Sequence, residues 1–209
     1  SDVMSAPHLL ARPAAVRLAV VLGCVILALG LALLAARTQR RPHFVGFAPP
    51  NVGLPDVALV DDRGRRFTFS ELQTRAYALV FGYTHCTDTC PMTLAKLERA
   101  RMSLAPEERR NTTIVFVTVD PARDTPARLH EYIARFGSGL VGVTGTRQPL
   151  KTLFRSLGIW SVRIGKGPNY EMGHTASVFF VDPSGRIRTI HDWQDAPQDL
   201  AHDLMQLTM

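Results

Sequence analysis

Residues 76–91 read AYALVFGYTHCTDTCP, and the two halves of the stretch carry different signals. Ala76–Tyr83 is an uncharged run rich in aromatic and branched side chains, the pattern of a strand covered on both faces. Cys86 and Cys90 follow, and then Pro91, whose fixed φ and missing N–H suit the first turn of a helix. That helix carries Leu94, Leu97 and Leu104 and stops before Pro106. A strand that passes into a helix through two cysteines sets both thiols at the strand's carboxyl end, where open α/β sheets place their sites.

The alternation continues outward from this stretch. Val57–Val60 and Arg66–Phe69, joined by the turn around Asp62-Arg63-Gly64, form a hairpin, with Ser70 as N-cap of a short turn. Thr112–Val119 is a second strand. Pro126 opens a helix bearing Leu129, Ile133 and Phe136, and Gly137 closes it. Leu140–Thr144 is a short strand, and Thr146 caps a helix with Leu150, Leu153, Phe154 and Leu157, ended by Gly158. Thr175–Val181 and Arg186–His191 flank the turn Asp182-Pro183-Ser184-Gly185, and a last helix begins near Pro197 with Leu200, Leu204 and Leu207. The order predicts a mixed α/β sheet flanked by helices, with right-handed crossovers.

Upstream, the 19 residues Leu18 to Ala36 hold no charged or strongly polar side chain and lie between Arg17 and Arg37. As a helix they span about 28 Å, close to the ~30 Å hydrocarbon core, which predicts one transmembrane helix. A cleaved signal would have a shorter apolar region and small residues at its cleavage point, whereas this run ends Leu33-Leu34-Ala35-Ala36-Arg37. The expected organisation is a tail at 1–17, the membrane helix at 18–36, a Pro-rich tether at 37–54, and one globular domain at 55–209.

Charge and cysteine usage bound the function. The 209 residues carry a net charge of +6, but residues 1–42 alone hold five Arg against one Asp, or +4, leaving 19 basic and 17 acidic side chains, or +2, for the rest. No basic run with interleaved aromatics exists, so nucleic acid is excluded as a partner. Arg12 and Arg17 before the apolar run, and Arg37, Arg40 and Arg41 after it, leave the orientation undecided by charge. Three cysteines are too few for a disulfide scaffold or a four-cysteine zinc module, and Cys24 falls inside the apolar run, where it packs as a small hydrophobe.

Cys86 and Cys90, four apart, would share a helical face about 6.2 Å apart between Cα atoms, so they could chelate one metal or form a slightly stretched disulfide. A helix N-terminus should lower both thiol pKa values. Two thiolates are soft donors that suit Cu(I) or Zn, and a third donor is needed. His174, just before the strand Thr175–Val181, is the best placed, although a single histidine is more often an ordinary hydrogen-bonded residue.

Three motifs in order, Gly82-Tyr83-Thr84-His85-Cys86-Thr87-Asp88-Thr89-Cys90-Pro91, Val119-Asp120-Pro121-Ala122-Arg123-Asp124-Thr125-Pro126 and Gly173-His174-Thr175, resemble the Sco (SenC) copper proteins over about residues 50–205. The resemblance implies a thioredoxin-like α/β fold held by a single N-terminal transmembrane helix. It implies a copper ion, Cu(I) or Cu(II), on Cys86, Cys90 and His174, and a role in assembling the binuclear copper centre of cytochrome c oxidase. The implied partners are the copper-bearing oxidase subunit, a periplasmic copper donor and the membrane, with a homodimer left open. The implied location is the bacterial inner membrane, single-pass, with the C-terminal domain in the periplasm; the alternative is the mitochondrial inner membrane, facing the intermembrane space. Thr87 and Thr89 depart from the Pro and Val usual in the family's cysteine loop.

Asp120 ends a strand beside the cysteine strand, so it is expected either behind the metal ligands or as an occasional ligand, the other reading being that it only organises its loop. His85 is expected to point away from the pair, Met172 to pack, and Arg123 and Asp124 to pair with each other or with the loop. The leading functional reading is a copper metallochaperone rather than an enzyme. The second is a thiol-disulfide reductase that keeps the oxidase cysteines reduced, against which stand three residues between the cysteines and Gly173-His174 where a Pro would face them. A peroxidase is a weaker third, since Tyr83 stands where that chemistry wants Pro.

Overall fold

The structure, a computed structural model, describes residues 14–38, 42–50 and 52–208. The chain divides into two compact units, the first ending at Arg41 and the second running from Pro42 to Met209. The first contains helix α1 (Ala14–Thr38). Described side chains from Leu18 to Leu33 are all exposed, an apolar girdle of sixteen residues, or about 24 Å at 1.5 Å per residue. Among the described residues no helix is long and apolar enough to cross a membrane. The side chains of residues 34–36, which complete the span expected from sequence, lie outside the description, as do residues 1–13 of the tail and 39–41 and 51 of the tether.

The second unit is built on strands β1 (Leu59–Asp61), β2 (Arg66–Phe67), β3 (Ala76–Gly82), β4 (Thr112–Thr118), β5 (Leu140–Thr144), β6 (Ser161–Ile164), β7 (Glu171–His174), β8 (Val178–Val181) and β9 (Ile187–His191). Its helices are α2 (Thr89–Met102), α3 (Pro106–Arg110), α4 (Pro126–Ile133), α5 (Arg147–Ser156) and α6 (Pro197–Gln206), with a 3-10 turn at Phe69–Leu72. One seven-stranded sheet has the order β2-β1-β5-β4-β3-β8-β9, and β6 and β7 form a separate ribbon. β3, β4 and β5 are parallel, while β8 and β9 return antiparallel beside β3.

The central strands are buried on both sides, and their residues alternate between two cores. Ala76, Ala78 and Val80 of β3, with Ile114 and Phe116 of β4, face α2, α4 and α6 through Leu94, Leu97, Leu129, Leu200 and Leu204. Tyr77, Leu79 and Phe81, with Val115 and Val117, face α5 and the β1 hairpin through Leu150, Leu153 and Leu59. Small residues on the first face of β3 let two helices pack closely. Aromatic residues fill the second, where Phe81 meets Phe154 and Phe179 edge-on. The helix–sheet–helix layering is the thioredoxin-like arrangement expected.

Some boundaries differ. The turn after the first hairpin starts at Phe69, with Thr68 rather than Ser70 at its cap position. α2 ends at Met102, so Leu104 packs from the following turn, and α3 adds a short helix after Pro106. Part of the segment read as tether is laid on the sheet. Phe47 bridges Ile190 with hydrogen bonds of 3.0 and 2.8 Å, and Gly53 bridges Arg186. Asp203, fully buried on α6, accepts the amide N–H groups of Val45 (2.8 Å) and Gly46 (3.0 Å), and its Oδ2 also lies 2.8 Å from Nε2 of His191. Nδ1 of His191 faces Asp195 at 2.8 Å. A Cβ on Gly46 would run into Thr189 and His191, so only glycine lets the chain come this close.

Removing Asp203 leaves a buried imidazole and two amides without their acceptor. Asp203→Ala should cost about 3 kcal/mol in urea unfolding and speed amide exchange at Val45 and Gly46 far more than at β3. Unchanged stability would show that the contact contributes nothing.

Candidate metal centre

β3 ends at Gly82, and the chain turns at once, the Cys86 N–H donating to the Tyr83 carbonyl at 3.1 Å. α2 begins at Thr89, so Cys90 sits in its first turn while Cys86 lies in the loop before it. The shared helical face expected from the spacing does not form. Instead Asp88 at the N-cap makes no side-chain cap, and the Cys86 sulfur accepts the Cys90 N–H at 3.4 Å. A sulfur thus occupies the place of the capping oxygen, facing the positive end of the helix.

Two residues not assigned to the site from sequence hold this turn. Asp124 is wholly buried and accepts from Thr84 N (3.0 Å), Thr84 Oγ1 (2.6 Å) and Thr118 Oγ1 (2.6 Å), which ties the cysteine loop to β4. Its pairing is with the loop, and Arg123 bonds to Asp120 instead. Gly82 leaves the space that Cys90 fills: a Cβ there would lie 2.8 Å from Cys90 Sγ and 2.7 Å from the Phe116 ring.

His174 arrives on an element that the sequence did not reveal. It is the last residue of β7, paired with Ser161 of β6, and β8 begins later, at Val178. The Thr175 N–H donates to the Trp160 carbonyl at 3.1 Å and closes the ribbon's base. His174 Nδ1 lies 2.8 Å from the Thr175 carbonyl. A carbonyl only accepts, so Nδ1 carries the hydrogen and the lone pair is on Nε2. That Nε2 is 3.8 Å from Cys90 Sγ, and the ring stands edge-on to Tyr83 with centroids 5.9 Å apart.

The two thiols are electrostatically unlike, which corrects the expectation that both are lowered. The Cys86 thiol is lowered to about 5, chiefly because its thiolate accepts the Cys90 S–H, helped by the N–H groups of Cys90 and Asp88, against the cost of burial. The Cys90 thiol is pushed up, because its proton serves the Cys86 sulfur and because it is 3% exposed. Half-buried Cys86 is therefore a thiolate at neutral pH, and Cys90 a thiol with one proton and two acceptors.

Asp120 is buried with both oxygens engaged, one by the Tyr170 hydroxyl at 2.7 Å and one by Arg123. The Tyr170 ring is held between the guanidinium groups of Arg123 (3.5 Å) and Arg163 (3.8 Å). Asp120 thus fastens the ribbon that carries His174. His85 is exposed and its Nδ1 faces Thr84 Oγ1 at 3.3 Å, while Met172 packs against the second core.

Among the described residues no group of three or more His, Cys, Asp or Glu side chains forms a preassembled metal cage. The contacts are pairwise and share Cys90. Their scale nonetheless fits one ion: donors at about 2.0 and 2.3 Å from a metal and 120° apart stand about 3.7 Å from each other. Two sulfurs and one imidazole nitrogen with its lone pair on Nε2 could offer an ion two soft donors and one borderline donor.

The SCO1/SenC family model matches residues 51–209. Among curated relatives, the mitochondrial protein SCO1 of Saccharomyces cerevisiae is 31% identical over 145 residues, which cover 68% of this chain and 49% of that one. The solution structure of apo Sco1 from Thermus thermophilus aligns with a TM-score of 0.71 at 29% identity, covering 79% of this chain and 98% of that one. The crystal structure of Arabidopsis thaliana ScoI with copper bound gives 0.68 at 27%, covering 75% and 97%. With its cysteine turn, its ribbon histidine and a family match over most of its length, the chain belongs to the SCO1/SenC family.

Proposed function

We propose that the protein is a membrane-anchored copper metallochaperone that takes one copper ion as cargo on Cys86, Cys90 and His174 and supports assembly of the copper centre of cytochrome c oxidase. The observation that carries this reading is the 3.8 Å approach of His174 Nε2, lone pair inward, to Cys90 Sγ. Chelation of a metal uses that lone pair directly, whereas disulfide exchange would use it only as a base for the Cys90 thiol. Two soft thiolates with one imidazole suit Cu(I), and the copper-bound Arabidopsis relative supports the choice of metal. Cys90 is buried, so cargo enters and leaves past half-buried Cys86 and His174, by exchange of one ligand at a time with those of the partner.

The anchor is the apolar run at 18–36, whose described part forms an exposed apolar helix. The proposed location is the bacterial inner membrane with the domain in the periplasm, or the mitochondrial inner membrane with the domain facing the intermembrane space; the mitochondrial yeast relative is compatible with the second. Whether the chain pairs with itself belongs to the same proposal.

A second reading, thiol-disulfide exchange, is favoured by the unequal thiols. An accessible thiolate beside a buried, protonated partner is what attack on a disulfide and its resolution require. Both roles use the same sulfurs in different oxidation states.

Replacing Cys86 or Cys90 with Ser, or His174 with Ala, should weaken Cu(I) binding in a chelator competition by more than the 10–100-fold typical of losing a residue behind a ligand. His174→Ala should leave dithiol exchange with a model disulfide nearly unchanged. Lost exchange with intact copper affinity would reverse the ranking of the two readings. In the metal-free, reduced protein, iodoacetamide should modify Cys86 with a midpoint near pH 5, the thiol protonated below it and thiolate above. In Cys90→Ala that midpoint should move up, because the main stabilising hydrogen bond is gone. Cu(I) loading at pH 7 should release about one proton, from Cys90, and release of two would contradict the unequal pair.

A further inference from the structure

Beside the ribbon that carries His174, a groove of about 460 Å³ runs between α5 and the Asp120 loop. Leu150, Phe154 and Met172 floor it, and Arg147, Lys151 and Arg163 stand exposed at its rim. Among the described residues none of these three cations forms an ion pair. Asp120, the only acid among the described residues that line the groove, already has its charge matched by Arg123.

The placement of these charges works against the helix that bears them. Arg147 is the first residue of α5, whose first turn holds no acid, so a cation sits at the positive end of the helix. Lys151 follows at i+4, a like-charge pair on one face. Each arrangement is unfavourable to the helix. Local rules broken together at one place mark a surface kept for another purpose. Met172, which lines the groove, and His174 lie two apart on β7 and so share a face, which sets the groove beside His174.

We infer that this groove seats an acidic segment of a partner protein that also presents an apolar side chain. The inference rests on the metallochaperone reading, since it takes that partner to exchange metal with the neighbouring donors. The occupant follows from matching the groove's two chemistries. A small free anion needs donors converging on a point, whereas these cations are spread along a rim around an apolar floor that a hydrated anion would leave uncovered. An acidic segment with an aromatic or aliphatic residue meets both, its carboxylates on the rim and its apolar group over Phe154.

The test uses the full chain in neutral detergent, reduced and metal-free, with a fluorescent synthetic peptide of Asp, Glu and Phe as probe. Saturable, salt-sensitive binding is expected, with association at low salt slowed by roughly tenfold or more in R147E/K151E. A peptide with Ser for Phe should bind more weakly, and one with Lys for the acids should not bind. The proposal is overturned by absent peptide binding, by equal binding to R147E/K151E, by displacement with inorganic phosphate beyond a sodium chloride control of equal ionic strength, or by charge-dependent binding to anionic vesicles in place of the peptide. Cu(I) stoichiometry, measured in parallel, should be the same in R147E/K151E as in the unaltered chain. One copper without peptide binding overturns the groove alone, and peptide binding without copper overturns the metallochaperone reading alone.

Discussion

Cys90 is buried, its thiol beside both the Cys86 sulfur and Nε2 of His174, and it has one proton for two acceptors. That imbalance organises the site. With the proton given to Cys86, the outer sulfur becomes an acidic thiol and the imidazole lone pair goes unanswered. Replacing the proton by a soft cation satisfies all three donors at once, because a single ion can be shared where a single proton cannot. Burial adds to this, since a cation offsets the charge that desolvation would otherwise keep off Cys90.

The surroundings hold these three atoms in register from separate parts of the chain. Asp124 ties the cysteine turn to β4 with uncharged donors only, so no cation competes with the site there. Asp120, Arg123 and Tyr170 fasten the ribbon, and the rings of Tyr83 and His174 pack perpendicular to each other. Gly82 keeps room for the Cys90 sulfur by having no side chain. The proposed metal donors come from a turn, the start of α2 and a ribbon, whereas Gly82 and Thr118, which help to fix them, belong to the central strands. Such a division allows small adjustments at the donors without disturbing the sheet.

Much of this was legible before any coordinates. Ala76–Gly82 announces a buried central strand because its apolar residues are uninterrupted, Pro126 and Pro197 open α4 and α6, and Gly158 follows α5, whereas α4 stops at Ile133, short of Phe136 and Gly137. Cys86, Cys90 and His174 could be named as candidates by residue type and motif. The β6–β7 ribbon could not be read, because its strands are short and β6 is exposed throughout, so neither burial nor alternation left a mark. The role of Asp124 depends on Thr84, 40 residues earlier, a contact that no local pattern encodes. The unequal thiols were missed for a related reason. Spacing suggested one shared helical face, but the helix starts at Thr89 and leaves Cys86 in the turn, where its sulfur caps rather than continues the helix.

The central claim is that one soft ion replaces the shared proton and is held by Cys86, Cys90 and His174 together. X-ray absorption at the copper edge of the full chain loaded with one equivalent of Cu(I) tests it most directly. Two sulfur scatterers and one imidazole nitrogen, with the nitrogen lost in His174→Ala, are the result the account predicts. Two sulfurs without nitrogen in the unaltered protein, or a nitrogen that persists in His174→Ala, would contradict it.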